Sequence, residues 1–249
     1  LFFNKIFYIL LKKLFHIKNL TVIFQNRDDL KFISDKIKYY KYKYTIIKGS
    51  GVDLKYFKFT PKDHNKNEIT FTLISRLLVD KGIKEFILAT NMLREKNNFS
   101  NIRIIFNLVG GFDNNNPTSF NNNDVIQWAK NINNHYFGFQ ENIKNYLINT
   151  DVVVLPSYRE GMPKILLEAS SIGRAIIATD VPGCRECVVN FENGILVKPK
   201  STYSLYKGIK YIIENNHKIK QMGSISRKIA EENYSIEDVI LRHVNIYEN

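Results

Sequence analysis

A strand–helix–strand pattern in the second half of the chain most constrains its fold. Asp151-Val152-Val153-Val154-Leu155 is a short, apolar, β-branched run that Pro156 stops, which is typical of a buried strand in a parallel sheet. A helix is predicted from Lys164 to Ile172, with Gly173 as its left-handed cap, and Ala175 to Thr179 is a second short buried strand. The pattern predicts an α/β domain in which chemistry gathers where the strands end.

Two carboxylates frame this helix. Glu160 lies in the loop before it, and Glu168 lies inside it, roughly 7 Å along the axis. Because helical side chains lean toward the N-terminus, Glu168 points back toward the loop of Glu160. Pro163 suits a first helical turn, whose free N–H groups attract an anion such as phosphate. Acids beside an anion site fit a sugar nucleotide, since a carboxylate can accept from a vicinal diol. The alternative is a surface ion pair of Lys164 and Glu168.

The composition is that of a globular protein with one full core and part of a second. The 249 residues are 44% hydrophobic and 24% charged, and 36 Lys and Arg against 24 Asp and Glu give a net charge of +12. The excess positive charge favours anionic partners, namely nucleotide sugars, acidic lipid surfaces or nucleic acid. The sequence has no zinc-finger or RNA-binding motif, so we expect no nucleic-acid partner.

The two cysteines, Cys184 and Cys187, have C-x-x-C spacing, which suits a redox pair or half of a zinc site. The sequence offers neither a second cysteine pair nor a histidine at ligand spacing, so we predict two reduced thiols on one helix face and no metal. Reduced thiols are consistent with a cytoplasmic protein.

The first sixty residues also alternate between helix and strand. Leu1 to Ile17 has helical periodicity and is too short and too charged to span a bilayer; we expect it to pack on a domain, with an anionic membrane surface as the alternative. The predicted elements that follow are strand Leu20–Phe24, helix Arg27–Ile37, strand Tyr44–Ile47, a break at Gly49–Asp53 and a polar linker at Thr60–Asn67.

From Glu68 the alternation continues to the end of the chain. The predicted strands are Ile69–Ile74, Ile102–Val109, His135–Phe139 and Ile195–Val197. The run Phe112–Asn123 is predicted to be a long polar loop. The predicted helices are Ile83–Lys96, one capped by Asp124 that reaches Asn133, Glu141–Asn149, one capped by Ser201 that reaches Asn215, Lys218–Glu231 and Ile236–Tyr247.

Several stretches resemble a known family. PSYREGMPKILLEA, with its E-x7-E spacing, is followed by ATDVPGCRE and ENGILVKP, and SRLLVDKG and GSGVDLKYF precede it. Together they resemble the retaining glycosyltransferases of family 4, which have the GT-B fold of two Rossmann-like domains. The likeness covers nearly the whole chain but lacks the family's beginning.

The resemblance implies a division into three parts. Residues 1–62 would be the remnant of the N-terminal, acceptor-side domain with the crossing between domains, residues 63–232 a complete Rossmann-like donor-binding domain, and residues 233–249 a helix that crosses back. The expectation is therefore a fragment. The missing part would hold a Gly-rich loop, most of the acceptor site and a donor-contacting histidine, which is matched by none of His16, His64, His135, His217 and His243.

The resemblance also assigns site residues. In the family the first Glu contacts the transferred sugar and the second binds the ribose, which implies these roles for Glu160 and Glu168. SRLLVDKG resembles the diphosphate-binding loop, and the turn at Phe137-Gly138-Phe139 would pass near the base. The implied catalytic residues are Glu160, Arg76 and Lys81, and the implied donor-binding residues are Glu168, Gly161, Met162, Pro163, Lys164, Phe137 and Gly138.

The expected reaction is transfer of a sugar from a nucleotide-diphosphate sugar, a UDP-sugar, to a surface polysaccharide or lipid-linked glycan with retention of configuration. The chain has no D-x-D pair, so we predict that Arg76, Lys81 and the helix start stabilise the leaving diphosphate without a metal or cofactor. Glu160 is not assigned as a nucleophile. The expected location is cytoplasmic, peripheral at the inner membrane face. The alternative function is a nucleotide-sugar-binding module without turnover.

Overall fold

The computed structural model describes residues 2–36, 43–62, 67–96, 99, 101–113 and 115–248, with side chains from residue 6 onward. The strands are β1 (Thr21–Phe24), β2 (Lys43–Ile46), β3 (Glu68–Ile74), β4 (Arg103–Val109), β5 (Asn134–Tyr136), β6 (Val152–Leu155), β7 (Ala175–Thr179) and β8 (Gly194–Val197). The α-helices are α1 (Phe2–Leu14), α2 (Arg27–Lys36), α3 (Ile83–Lys96), α4 (Asn122–Ala129), α5 (Lys144–Ile148), α6 (Lys164–Ile172), α7 (Cys184–Cys187), α8 (Thr202–Glu214), α9 (Ile219–Asn233) and α10 (Ile236–Glu248).

Six parallel strands form the main sheet, in the order β5-β4-β3-β6-β7-β8. The chain builds outward from β3 in one direction and then returns to build outward from β6 in the other. This is the doubly wound order of a Rossmann-like domain, and its switch point lies between β3 and β6. The prediction of an α/β fold with a complete Rossmann-like domain is confirmed.

Helices cover both faces of this sheet. Val152 and Val154 of β6 face a core shared with α3 and α8, whereas Val153 and Leu155 face a second core shared with α6 and α9. Both faces are therefore buried, which explains why the strand reads as a continuous apolar run rather than an alternating one.

The N-terminal residues form a smaller β-α-β unit in which β1 pairs with β2 in parallel and α2 connects them. It joins the main domain through the crossing at Gly49–Val52, where the Val52 N–H donates to the carbonyl of Tyr234 at 2.7 Å and the Ile236 N–H donates to the carbonyl of Val52 at 3.1 Å. The crossing segment is thus paired with the start of α10.

Helix α1 leaves much of its apolar surface exposed. Phe7, Leu10 and Leu14 are 54%, 56% and 52% exposed, whereas Phe15, just beyond the helix, is buried. The expectation that this helix packs on a domain is therefore wrong for these three side chains. In the part of the chain that the structure describes, no helix combines the length and hydrophobicity needed to cross a bilayer.

Most of the predicted elements are confirmed within one or two residues, and α3 and α6 have the predicted bounds. Gly173 ends α6 with a φ of +87°, as a left-handed cap should. Ser201 caps α8, since its hydroxyl accepts from the Ser204 N–H. Ile37 of the predicted second helix and residues 63–66 of the predicted linker lie outside the described residues.

Several predicted boundaries are wrong. Helix α1 ends at Leu14 rather than Ile17, and α4 ends at Ala129 rather than Asn133. Asp124 does not cap α4, because the Asn121 side chain accepts from the Asn123 N–H at 2.9 Å and starts the helix earlier. Strand β5 ends at Tyr136 rather than Phe139, because Gly138 turns the chain away with a φ of +65°. The predicted helix Glu141–Asn149 shortens to α5, because the Asn142 side chain accepts from the Lys144 N–H and forms a turn there.

A buried arginine was not predicted to have a structural role. Arg174, between α6 and β7, is 2% exposed, and its guanidinium donates to the carbonyls of Leu147 (2.8 Å), Thr60 (2.6 Å) and Ile148 (3.2 Å). Burial lowers its pKa to about 10, while the negative charge of Asp151 acts in the opposite direction. Arg174 thereby ties α5 and the segment at Thr60, which leads toward β3, to the sheet.

We expect Arg174→Met to lower the free energy of unfolding by about 3 kcal/mol, because the variant keeps the volume of the side chain but leaves buried carbonyls without donors. Urea denaturation followed by circular dichroism measures this. The control is Arg103→Met, since the side chain of Arg103 is 59% exposed and its ion pair with Glu68 should contribute less than about 1 kcal/mol. Equal losses in the two variants would contradict the anchoring role.

Candidate functional site

The candidate site lies at the carboxyl ends of β3 and β6, which are neighbours in the sheet. Two loops leave the sheet there: residues 75–82 after β3, and residues 156–163 after β6. Because this is the switch point, the connections after the two strands diverge and leave a crevice between them. Arg76, Lys81 and Glu160 lie on these two loops, whereas Lys164 and Glu168 lie on α6.

Several contacts hold the two loops together. The Tyr158 N–H donates to the carbonyl of Asp80 at 2.8 Å, and the Tyr158 hydroxyl donates to the Glu85 carboxylate at 2.8 Å. Burial and the adjacent Glu85 raise the pKa of Tyr158 to about 12, so the hydroxyl keeps its proton. Gly82 packs so closely on the Pro156 carbonyl that a side chain would not fit.

This packing brings Lys81 and Glu160 into direct contact. The Lys81 ammonium lies 2.7 Å from the Glu160 carboxylate, and the two side chains are only 19% and 14% exposed. The structure therefore brings Lys81, which is predicted to bind the diphosphate, into contact with Glu160, the acid predicted to contact the sugar. Each charge compensates the other, because an unpaired charge that is largely buried would destabilise the folded protein.

Glu168 is a buried carboxylate. Its side chain is 6% exposed and lies 3.8 Å from the exposed Lys164 ammonium. Burial raises the pKa of Glu168 to about 7, although the charge of Lys164 lowers it in part. The i, i+4 pair therefore exists, but the alternative of an ordinary surface pair is wrong, because the acid lies inside the protein.

The start of α6 differs slightly from the prediction. Pro163 is the residue before the helix, with extended backbone angles, rather than the first helical residue. Among the described residues no side chain caps this helix. Within the first turn, the Leu166 N–H already donates to the Pro163 carbonyl at 2.9 Å, which leaves the N–H groups of Lys164 and Ile165 for a ligand, as an anion site requires.

Gly161 and Met162 lie against the N-terminal unit. The Asn26 side chain donates to the Gly161 carbonyl at 2.9 Å, and a Cβ on Gly49 would lie only 2.6 Å from the Met162 side chain. On the other side, Gly183 approaches the Gly161 carbonyl too closely to carry a side chain. The loop of Glu160 is thus held between two parts of the protein, a contact that the sequence did not predict.

Arg76 lies at the edge of a cavity of about 170 Å³ beyond the ends of β3 and β4. Its side chain is 67% exposed and lies 3.6 Å from the Asp113 carboxylate, a pairing too exposed to hold it strongly. The cavity is lined by Ile74, Ser75, Arg76, Val109, Gly110, Gly111, Phe139, Gln140 and Ile143.

The turn after β5 divides its aromatic residues between two cavities. Phe139 lines the 170 Å³ cavity, whereas Phe137 lines a separate cavity of about 430 Å³ with Tyr146, whose ring is 5.0 Å away. Gly138 accepts a backbone hydrogen bond from Gly110 between them. Sequence reasoning placed the turn Phe137-Gly138-Phe139 near the base but did not include Phe139 among the donor-binding residues, and it missed Gln140. The glycine that ends β5 was the available signal.

The cysteine pair has no catalytic environment. Cys184 and Cys187 are free and buried. Burial, with a smaller contribution from Glu160, raises the pKa of Cys184 to about 12, so it remains a protonated thiol. Across the described residues, no three His, Cys, Asp or Glu side chains are grouped in a way that could hold a metal ion.

The family of group 1 glycosyl transferases matches residues 55–229 of this chain. Among curated proteins, an N,N'-diacetylbacillosaminyl-diphospho-undecaprenol alpha-1,3-N-acetylgalactosaminyltransferase of Campylobacter jejuni is 30% identical over 222 residues, which is 83% of this chain and 54% of the relative. The chain therefore spans about half the length of that relative.

Two solved structures share the fold. Sucrose-phosphate synthase of Thermosynechococcus elongatus aligns over 97% of this chain and 60% of its own, with a TM-score of 0.79 and 20% identity. Anabaena HepE, in complex with UDP and glucose, aligns over 92% of this chain and 63% of its own, with a TM-score of 0.75 and 19% identity. The predicted GT-B type of α/β fold is confirmed.

We expect Glu168→Gln to stabilise the ligand-free protein increasingly as the pH rises. The folded-state pKa is raised, so the stability due to the protonated carboxyl is present at low pH and is lost as the pH rises from about 4.5 to about 7. Glutamine mimics the protonated form at every pH. The variant should therefore gain up to roughly 3 kcal/mol over the parent across this range and no more above it.

Urea denaturation at pH 5, 6, 7 and 8 measures the difference between the two proteins. Glu95→Gln, at an exposed position of α3, is the control and should show no such trend. A difference that stays constant with pH would show that Glu168 is ionised over the whole range.

Proposed function

Because this chain belongs to the group 1 glycosyl transferases, we propose that it binds a nucleotide-diphosphate sugar and transfers the sugar to a glycan or lipid-linked acceptor. The observation that carries this proposal is the pairing of Lys81 with Glu160 beside the uncapped start of α6. It brings a cation, a carboxylate and free N–H groups together at the switch point of the sheet. A diphosphate joined to a sugar requires those three groups.

The proposed donor extends across the crevice. The base occupies the 170 Å³ cavity, where Phe139 offers an aromatic ring and Gln140 an amide, and the ribose hydroxyls donate to Glu168. The diphosphate lies at the start of α6, next to Pro163 and Lys164, with Arg76 and Lys81 as its cations. Glu160, Gly161 and Met162 then face the transferred sugar.

The proposed chemistry is leaving-group stabilisation. As the bond between sugar and diphosphate breaks, negative charge grows on the departing oxygens, and fixed cations and N–H groups stabilise it. Lys81 is suited to this because its flexible ammonium can be shared between Glu160 and a phosphate. Glu160 orients the sugar through its hydroxyls.

The finer assignments are also proposals. The E-x7-E spacing and SRLLVDKG support membership of family 4, and that family supports retention of configuration. The fixed cations and the lack of a D-x-D pair in the sequence support transfer without a metal or cofactor. UDP bound to Anabaena HepE supports a UDP-sugar as the donor.

The acceptor is proposed from the Campylobacter relative, whose name specifies a diphospho-undecaprenol-linked sugar. Such an acceptor lies at a membrane surface. The net charge of +12 supports peripheral contact with anionic lipid at the cytoplasmic face. We infer that residues 1–62 belong to the acceptor-side domain, residues 63–232 to the donor domain, and residues 233–249 to the returning helix.

Two assays test the proposal. The purified chain is titrated with UDP-glucose, UDP-galactose and UDP-N-acetylgalactosamine, and stabilisation by mass action should raise its melting temperature with at least one of them. It is then incubated with that donor and undecaprenyl-diphosphate-linked sugar, and the lipid product is separated. Binding without product in this pair of assays would favour the binding module instead, and no binding of any donor would contradict both functions.

We expect Glu168→Ala to weaken nucleotide affinity by about 10- to 100-fold, because the variant removes a charged acceptor from the ribose. We expect Glu160→Ala to lower kcat by about 100-fold or more with little change in UDP affinity, since its contacts are with the sugar. Isothermal titration with UDP and steady-state kinetics separate the two effects. Glu95→Ala is the control; equal loss of UDP affinity in both site variants would contradict the separate roles.

A further inference from the structure

Asn26 is an unusual residue at the end of β1, because it is fully buried although its side chain is polar. Its amide oxygen and both of its amide N–H donors have partners. Its amide oxygen accepts from the Asp29 N–H at 2.7 Å, and its amide nitrogen donates to the Asp29 carboxylate at 2.8 Å and to the Gly161 carbonyl at 2.9 Å. The first two bonds start helix α2. The third joins the N-terminal unit to the loop of Glu160.

The bond from Asn26 to the Gly161 carbonyl acts on the loop that carries Glu160. Gly161 follows Glu160 directly, and its carbonyl belongs to the peptide that leads to Met162 and the start of α6. Gly183 packs against the same carbonyl and leaves no space for a Cβ. The orientation of the peptide is therefore set by two contacts with its oxygen, one from Asn26 and one from Gly183.

Other ion pairs cross the same boundary. Lys48 lies 3.5 Å from Glu186, with side chains 29% and 16% exposed, but Glu186 is on α7 and not on the loop of Glu160. Two further pairs are more exposed. Arg185 pairs with Asp28 at 2.7 Å, and Arg159 lies 3.8 Å from Asp29. In each of these pairs at least one side chain is 44% or more exposed. Solvent and salt weaken such pairs. The bond from Asn26 to Gly161 is partly buried, because Asn26 itself is fully buried, and it holds the backbone of the loop directly.

We propose that Asn26 is a positioning residue for donor-sugar contact, acting through the Gly161 carbonyl on the loop that carries Glu160. This rests on the proposed function. The bond makes the geometry of Glu160 depend on where the N-terminal unit sits. When the unit is seated, the loop holds Glu160 toward the sugar, and when the unit moves away, the loop loosens.

Two substitutions separate this role from helix capping. Asn26→Ser keeps a side-chain oxygen that can cap α2 but is too short to reach Gly161, whereas Asn26→Ala removes both functions. Asn121→Ala is the matched control, because Asn121 caps α4 and has no bond to this loop among those described. Hydrogen exchange of residues 158–163, measured by mass spectrometry, reports on the loop directly.

We expect exchange in the loop to rise about tenfold in both Asn26 variants and to stay unchanged in Asn121→Ala, with exchange in α2 rising only in Asn26→Ala. Unchanged loop exchange in Asn26→Ser would overturn the proposal. This measurement needs no nucleotide, so it holds even if the proposed function fails.

The functional readout compares UDP with UDP-glucose as probes. The affinity of Asn26→Ser for UDP should stay within about twofold of the parent, whereas the additional affinity conferred by the glucosyl group should be lost and kcat should fall about tenfold. An equal loss for both probes would show general disruption of the site and would overturn the positioning role. If the parent protein binds neither probe, the proposed function fails, and the exchange experiment alone decides about Asn26.

Discussion

The arrangement of the site depends on the contact between the loops that follow β3 and β6. Lys81 and Glu160 meet at 2.7 Å, and both are largely buried, so each would be destabilising without the other. The contact forms only because β3 and β6 are neighbours and because Gly82 lets the first loop pack on the Pro156 carbonyl. Tyr158 then fixes the same junction through its hydrogen bond to Glu85. Sheet order, loop packing and the ion pair thus support one another.

The buried Glu168 carboxyl destabilises the ligand-free protein when it is ionised. Its burial raises its pKa to about 7, so near neutrality the carboxyl is divided between its two protonation states. A buried acid of this kind is less favourable when ionised, and donors that arrive with a ligand would relieve the cost. The exposed Lys164, 3.8 Å away, compensates only in part. The same group therefore limits the stability of the ligand-free protein, and under the proposed function the ribose hydroxyls would relieve that cost.

The N-terminal β-α-β unit forms part of the wall of the crevice. Asn26 and Gly49 contact the loop of Glu160 from this side, and the crossing segment pairs with the start of α10 on the other. In a fold of two Rossmann-like domains the cleft lies between the domains. Under the proposed function, contacts that link the N-terminal unit to the loop of Glu160 would make catalysis depend on the position of that unit.

The sequence by itself determined the local elements and the chemistry that they carry. Periodicity, Pro156 and Gly173 fixed β6, α6 and β7, because these depend on neighbours within a few residues. Local residues that the prediction did not weigh caused the wrong boundaries. Asn121 rather than Asp124 caps α4, and Gly138 ends β5 before Phe139. Only the tertiary structure decided that Lys81 meets Glu160, that Glu168 is buried, that Phe139 rather than Phe137 lines the smaller cavity, and that Asn26 holds Gly161. These contacts join residues far apart in sequence, and no local pattern specifies which distant partners the packed sheet will bring together.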